Sequence, residues 1–105
     1  MMFYVLKNRI PVAADAKTWA EFILASDNIV AHERINGFEV STSFIGMVRE
    51  PGKANPLVFE TLVAGNGSRS VAGQYCSWQE AEVGHRIIVQ ELAAKQAEST
   101  EGEQS

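Results

Sequence analysis

Length and composition narrow the classes of protein to which this chain can belong, because 105 residues are enough for one domain and 46% hydrophobic residues are typical of a folded globular protein. A net charge of -4 argues against direct binding to nucleic acid, and the single cysteine, Cys76, excludes an intrachain disulfide. No apolar run approaches the ~18 residues of a membrane span, so we expect a protein of the cytoplasm.

The first predicted elements are a strand, an irregular connection and a helix. Residues 3–6 are apolar and prone to β structure, and residues 7–11 predict an irregular connection. Asp15 can cap a helix over residues 16–25. The apolar residues on one side of this helix are Trp19, Phe22 and Ile23. We expect that side to pack against a sheet, and a strand to follow from Ile29.

The pair Asn36-Gly37 is the clearest turn signal. Both central residues of a type I′ turn have positive φ, a conformation that asparagine and glycine adopt readily. The pair therefore predicts a β-hairpin with arms at residues 29–35 and 38–47. Neither face of the second arm is purely polar, so we expect both faces to be partly covered.

Three further elements are predicted between the hairpin and the last helix. Residues 48–56 contain prolines and a glycine and predict a surface loop, which a strand over residues 57–64 follows. A turn at residues 65–68 then leads into a last strand over residues 70–76.

A capping box marks the start of the C-terminal helix. Ser77 and Glu80 have the Ser-x-x-Glu spacing in which each side chain accepts from a backbone N–H of the first turn. The helix is therefore predicted to begin at Trp78 and to end near Gln96. One stripe of it is apolar apart from a single histidine, and its members are Trp78, Ala81, His85, Ile88, Val89 and Leu92.

The predicted order of elements is β-α-β-β-β-β-α. Because short hairpin-like links join the middle strands, this order predicts an α+β fold in which a mainly antiparallel sheet of about five strands carries two helices packed on one face. We expect residues 1–96 to form a single domain. Residues 97–105, which include three glutamates, are expected to be a disordered acidic tail.

His85 is the candidate functional residue, because it points into an apolar layer where an imidazole needs hydrogen-bond partners. The candidate partners on the strands are Glu60, Thr42 and Thr61. In the interpretation that we favour, this polar cluster is structural. In the other, His85 is a general base or contacts a ligand in a polar pocket. Ser41 and Ser43 could supply a nucleophile, but no spacing supports a triad, so we assign no catalytic residue and expect no enzyme.

Two other residues each have two interpretations. Cys76 precedes a helix N-terminus, where a thiol can be reactive, but the interpretation that we favour is a small buried hydrophobic residue at the end of a strand. Gly84, in the middle of the last helix, indicates close approach to a strand or a dimer contact. The two histidines lack acidic neighbours at ligand spacing, so we expect no metal and no cofactor.

Three segments resemble motifs of a family of small proteins encoded by bacteriophages and prophages. The segments are VSTSFIG at residues 40–46, LVFETLV at residues 57–63 and YCSWQEAEVGH at residues 75–85. The family motifs are V-S-T-x-F-x-G, F-E-T-M-V and S/T-W-E-E-A-E-x-G-H, and the similarity extends over residues 38–92. The chain departs from them at Gln79, Ser43 and Leu62. The resemblance implies a phage protein of the bacterial host cytoplasm and assigns no activity.

The sequence leaves two functions open. We expect a non-enzymatic phage-type protein that binds a host or phage protein, for instance as an inhibitor of a host defence complex, because a compact acidic domain lacks a catalytic set. The alternative is a protein that binds or sequesters a small, nucleotide-like molecule near His85. We expect no direct contact with nucleic acid or membrane. A homodimer fits the free edges of the predicted sheet, and the oligomeric state stays open.

Overall fold

The computed structural model describes residues 1–49 and 55–104, and in the last helix it describes side chains up to residue 95. The described residues form seven strands, which are β1 (Met2–Lys7), β2 (Ile10–Ala14), β3 (Ile29–Ile35), β4 (Phe38–Phe44), β5 (Met47–Val48), β6 (Phe59–Gly65) and β7 (Ser68–Tyr75). They also form two helices, α1 (Ala16–Ala25) and α2 (Trp78–Gln104). The predicted α+β class is confirmed.

The strands of the described residues are divided between two antiparallel sheets. The first sheet has the order β2-β1-β5, and the second has the order β3-β4-β6-β7. The antiparallel pairing is as predicted. The expectation of one sheet of about five strands is corrected to two sheets, because two connections differ from their predicted form.

The first of these connections is a hairpin at the N-terminus. β1 pairs with β2 through a turn in which Asn8 and Arg9 have φ values of 52° and 67°. Positive φ at both central residues is what a type I′ turn requires, so the predicted irregular connection at residues 7–11 is wrong. Pro11 is tolerated because β2 is an edge strand. The guanidinium carbon of Arg9 lies 4.6 Å from the ring centroid of Trp78, so this hairpin contacts the start of α2.

The second connection is the passage between the two sheets at Ile45 and Gly46, which interrupts the arm predicted over residues 38–47. Gly46 has φ of 65°, and a side chain there would collide with the carbonyl oxygen of Tyr4. The N–H of Tyr4 donates to the carbonyl of Gly46 over 2.8 Å, and the N–H of Ile45 donates to the carbonyl of Val58 over 2.8 Å. This short segment therefore bonds both to β1 and to the residue that precedes β6.

A row of four aromatic rings crosses the core. The rings are those of Phe22, Phe44, Phe59 and Trp78. Adjacent centroids are 6.0, 5.3 and 6.1 Å apart, and each pair has the edge-to-face arrangement that aromatic rings prefer. The middle two rings are buried on β4 and β6, and the outer two come from α1 and α2. Both helices therefore contact the same face of the second sheet, and Tyr4 and Leu6 of the first sheet pack against this core.

Both helices begin where the sequence predicts. The N–H of Thr18 donates to Oδ1 of Asp15 over 2.7 Å, which caps α1 and holds the pKa of the Asp15 carboxyl below its ordinary value. α2 begins at Trp78, but its predicted end near Gln96 is wrong, because the helix continues to Gln104 across residues expected to be disordered. Three of the residues there are glutamates, which favour helices.

The remaining elements match their predictions with small shifts. β6 begins two residues later than the strand predicted over residues 57–64, and β7 begins two residues earlier than the strand predicted over residues 70–76. Residues 50–54 of the predicted loop lie outside the part of the chain that the structure describes. Within that part, no helix is both long and apolar enough to cross a membrane.

Candidate functional site

Strand register and the position of α2 bring polar side chains together beneath the helix. Thr42 on β4 and Thr61 on β6 lie directly opposite each other, and both are fully buried. α2 packs against all four strands of the second sheet, and His85 projects from its buried stripe with only 3% of its surface exposed. Of the three partners predicted for His85, Thr42 bonds to it directly, and Thr61 is connected to it through Thr42.

A continuous chain of hydrogen bonds runs through this layer, and we call it the His85 chain. Its five members, in order, are Glu33, His85, Thr42, Thr61 and Tyr75. Nε2 of His85 lies 3.1 Å from Oε1 of Glu33, and Nδ1 lies 2.7 Å from Oγ1 of Thr42. The two threonine Oγ1 atoms are 2.5 Å apart, and Oγ1 of Thr61 lies 3.0 Å from the hydroxyl oxygen of Tyr75. Each strand of the second sheet and α2 contribute one member.

The hydrogen bonds of the His85 chain have one direction when the imidazole is neutral. An ionised carboxylate only accepts, so Nε2 of His85 donates to Glu33, and the bare Nδ1 accepts from Thr42. The hydroxyl of Thr42 then accepts from Thr61, which accepts from Tyr75. Both threonine hydroxyls and both ring nitrogens thus have partners, which avoids a penalty of about 1–3 kcal/mol for each unpaired buried group.

Whether a substrate can reach the hydroxyl groups determines whether the His85 chain can act in catalysis. Carboxylate, imidazole and hydroxyl stand in the order that hydrolase triads use. A substrate atom would have to come within about 3 Å of the attacking hydroxyl, but Thr42 and Thr61 have no exposed surface. Glu33, by contrast, has 53% of its side chain exposed. The geometry therefore favours the structural interpretation of His85 over the catalytic or ligand-binding one.

Glu60 does not belong to the His85 chain, and its predicted place beside His85 is wrong. Successive residues of a strand point to opposite faces, so Glu60, next to Thr61, lies on the other face of the second sheet. Ser41 and Ser43, which flank Thr42 on β4, lie on that other face for the same reason. The sheet therefore separates all three residues from His85.

Sequence reasoning missed two members of the His85 chain, Glu33 and Tyr75. The two-residue turn sets the register of β3 against β4, and in that register Glu33 faces Val40, which is buried on the same face as Thr42. Tyr75 likewise faces the buried Phe59. Counting outward from the Asn36-Gly37 turn is the signal that would have placed Glu33 beneath the helix. The same count fails for Tyr75, because a bulge at Ala72 shifts the register of β7 by one residue.

At the start of α2, one of the two hydrogen bonds of the predicted capping box is present. The N–H of Glu80 donates to Oγ of Ser77 over 3.1 Å, whereas Oε2 of Glu80 accepts from the N–H and the thiol of Cys76 at 3.3 and 3.0 Å. The hydrogen bond to Glu80, followed by burial and the carboxylate charge, raises the pKa of the Cys76 thiol. The same contacts lower the pKa of Glu80. The carboxylate beside Cys76 therefore disfavours a reactive thiolate.

Gly84 allows the ring of Tyr75 to lie directly against α2. A Cβ atom at Gly84 would overlap that ring, and a Cβ atom at Gly73 would overlap its hydroxyl. The predicted close approach of the helix to a strand is thereby confirmed. It holds the hydroxyl of Tyr75 in reach of Thr61.

A shallow groove lies on the outer side of α2, between the helix and the edge strand β7, and we call it the α2–β7 groove. It is lined by Tyr75, Gln79, Glu80, Val83, Gly84 and Ile87. Val83 and Ile87 are 48% and 47% exposed. Val83 and Ile87 therefore leave apolar surface open to solvent beside the ring of Tyr75.

Comparison with known proteins adds no further candidate. No protein-family model matches the chain, and no curated protein and no solved structure is significantly similar to it. Among the residues that the structure describes, no three His, Cys, Asp or Glu side chains are grouped so that they could hold a metal ion. The two candidates are therefore the closed His85 chain and the open α2–β7 groove.

Proposed function

We propose that this protein is a small phage-type accessory protein that acts without catalysis, by binding a host or phage protein in the bacterial host cytoplasm. Inhibition of a host defence complex is one form that such binding takes. The motifs at residues 40–46, 57–63 and 75–85 support the phage origin. The α2–β7 groove supports the binding function.

The exposure of Val83 and Ile87 beside Tyr75 is the observation that carries this proposal. These side chains stand on a helix whose opposite side packs into the core, and the part of the chain that the structure describes leaves them about half exposed. Covering apolar surface contributes about 25 cal/mol per Å², and a partner protein that seats on the groove gains this free energy.

The His85 chain lends no support to catalysis or to the alternative function. Both ring nitrogens of His85 have partners, and the ring is 3% exposed. A small nucleotide-like molecule would have to displace Thr42 or Glu33 and open the packing of α2. The hydrogen bonds of His85, Thr42 and Thr61 connect α2 to the second sheet, which supports a structural role for these three residues.

Photo-crosslinking in bacterial cells tests the proposed function. Benzoylphenylalanine would replace Ile87 in the groove and, as the matched control, Glu21, which is exposed on α1. We expect residue 87 to give discrete crosslinked proteins, identified by mass spectrometry, that residue 21 does not give. The proposal is wrong if position 87 yields no discrete product in infected or expressing cells, or if both positions yield the same products.

A further inference from the structure

We propose that the α2–β7 groove binds a short segment of a partner protein in which an apolar side chain is flanked on both sides by lysine or arginine. This inference rests on the proposed function, because it names the chemistry of the partner for the same surface. It also excludes a second copy of this chain as the occupant.

A row of residues, which we call the wall, runs along the side of α2 that lines the α2–β7 groove, and its last member, Glu91, lies one turn beyond the lining residues. The row consists of Glu80, Gly84, Ile87 and Glu91. Its spacings of four, three and four positions keep these residues on one side of an α-helix. Glu80 and Glu91 are both exposed and lie about 16 Å apart along the axis, at 1.5 Å per residue. The apolar part of the wall therefore lies between two carboxylates.

The centre of the α2–β7 groove is suited to an apolar side chain. Gly84 contributes no side chain, and the ring of Tyr75 forms the floor beside it. Val83 and Ile87 remain about half exposed, at 48% and 47%. A leucine-sized side chain of a partner, placed against these residues, would remove apolar surface from water on both molecules.

The two carboxylates favour basic neighbours in the partner. The hydrogen bonds from Cys76 lower the pKa of Glu80, so this carboxyl stays ionised at neutral pH. Both of those bonds reach Oε2, and a carboxylate has about four acceptor positions, so Glu80 can accept further bonds. Negative charge around an apolar centre speeds association with basic partners and disfavours acidic ones.

A second copy of this chain fits the groove poorly, because a two-fold axis brings like charges together. If two α2 helices pack antiparallel with Val83 against Ile87 of the other copy, Glu80 lies beside Glu91 of the other copy at both ends. Pairing of β7 with a second β7 is disfavoured as well, since Ala72 forms a bulge in this edge strand. The net charge of -4 on each copy adds to the repulsion.

A peptide selection on the full-length protein tests the occupant. A random library of twelve-residue peptides displayed on yeast would be sorted against the purified chain, with an unrelated acidic protein as the counter-selection. We expect the enriched peptides to share an apolar residue with lysine or arginine on both sides. Their binding should weaken as salt is added, because the charged contacts lie at the exposed rim.

Two charge-reversal variants form a matched pair for these peptides. Glu91→Lys changes the end of the wall, one turn beyond the lining residues, and Glu82→Lys makes the same change on the opposite flank of α2. We expect Glu91→Lys to weaken binding about tenfold and Glu82→Lys to change it by less than about twofold. Thermal melts followed by circular dichroism would show that both variants fold like the parent.

Several results would overturn the inference. They are enriched peptides without basic residues, no enrichment above the counter-selection, or equal weakening by Glu91→Lys and Glu82→Lys. A dimer in sedimentation equilibrium that dissociates in Ile87→Glu would identify a second copy as the occupant instead. In each case the crosslinking at residue 87 decides separately whether the protein-binding function stands.

Discussion

The two sides of α2 differ in the type of residue they carry and in the exposure of those residues to solvent. On the inner side, the His85 chain holds an imidazole and hydroxyls of the kind that catalysis uses, but Thr42 and Thr61 have no exposed surface. On the outer side, the α2–β7 groove is open, and its centre is apolar. Tyr75 belongs to both regions. The comparison teaches that residue types alone would suggest catalysis on the inner side, whereas the burial of those residues argues against it.

Among changes on the inner side of α2, removal of the imidazole of His85 should lower the stability of the protein most. We expect His85→Ala to lower the free energy of unfolding by about 3 kcal/mol, because it leaves a cavity and strands the hydroxyl of Thr42. Urea denaturation followed by tryptophan fluorescence would measure this. Arg86→Ala, at the exposed next position, is the control and should change stability by less than about 0.5 kcal/mol. If His85→Ala lowered the free energy of unfolding by less than about 1 kcal/mol, His85 would not be buried and hydrogen-bonded beneath α2.

The two threonines should respond unequally, which sharpens the description of the inner side. Thr42→Val removes the donor to Nδ1 of His85 and should cost about 2 kcal/mol. Thr61→Val should cost about 1 kcal/mol, because the hydroxyl of Tyr75, which it leaves without an acceptor, is less deeply buried. Valine has nearly the shape of threonine, so little of either loss comes from packing. The reverse order, measured by urea denaturation, would mean that Nδ1 of His85 does not accept from Thr42.

Gly84 lies at the boundary between the two sides, and its replacement tests the contact with Tyr75. We expect Gly84→Ala to destabilise the protein by about 1 kcal/mol, because overlap with the ring exceeds the gain in helix propensity of about 1 kcal/mol. In a Tyr75→Ala background the same change should stabilise by about 1 kcal/mol. A double-mutant cycle of thermal or urea unfolding measures both steps. The same sign in both backgrounds would show that the ring does not limit the approach of α2.

The rim of the groove can be probed through the Cys76 thiol. Glu80→Gln should speed alkylation of Cys76 by iodoacetamide at pH 8 roughly threefold, because the carboxylate that raises the thiol pKa above its ordinary 9.0 is gone. Well above the thiol pKa both proteins are thiolates, so the two rates should converge. Mass spectrometry of timed samples measures the rates. Equal rates at pH 8 would show that the Cys76 thiol does not donate to Glu80.

Two adjacent isoleucines compare the outer and inner sides of α2 directly. The smallest change in stability is expected for the isoleucine on the outer side. Ile87 is 47% exposed in the groove, whereas Ile88 belongs to the stripe that faces the sheet. We expect Ile87→Ser to change stability by less than about 0.5 kcal/mol, and Ile88→Ser to cost about 2 kcal/mol. Binding of the enriched peptides should fall about tenfold in Ile87→Ser alone. Similar losses of stability in both variants would show that the outer side is not free.

Elements with strong local signals were predictable from the sequence. Asp15 capped the helix at the expected position, Asn36-Gly37 formed the expected turn, and α2 began at Trp78. Each signal acts through hydrogen bonds or backbone angles within a few residues, so no distant part of the chain is needed to interpret it. The burial of His85 followed equally from helical spacing.

Elements that depend on long-range pairing were not predictable in the same way. The turn at Asn8 and Arg9 lacks the glycine that marks type I′ turns, and it forms because β1 and β2 pair along their whole length. β5 has two residues and exists only through its pairing with β1. A segment this short carries no periodicity of its own.

The site around His85 likewise has features that local sequence determines and features that only the tertiary structure determines. Helical periodicity alone directed the imidazole inward, because the direction of a side chain on a helix depends only on its position in the turn. Choosing Glu33 over Glu60 required the register of the second sheet, since alternation along each strand sends one carboxylate beneath α2 and the other to the opposite face. Burial of the threonine hydroxyls, and with it the closed character of the site, came only from the packing of α2 across all four strands. The elements that cover the two hydroxyls are distant from them in the sequence, which is why no pattern within β4 or β6 could predict their burial.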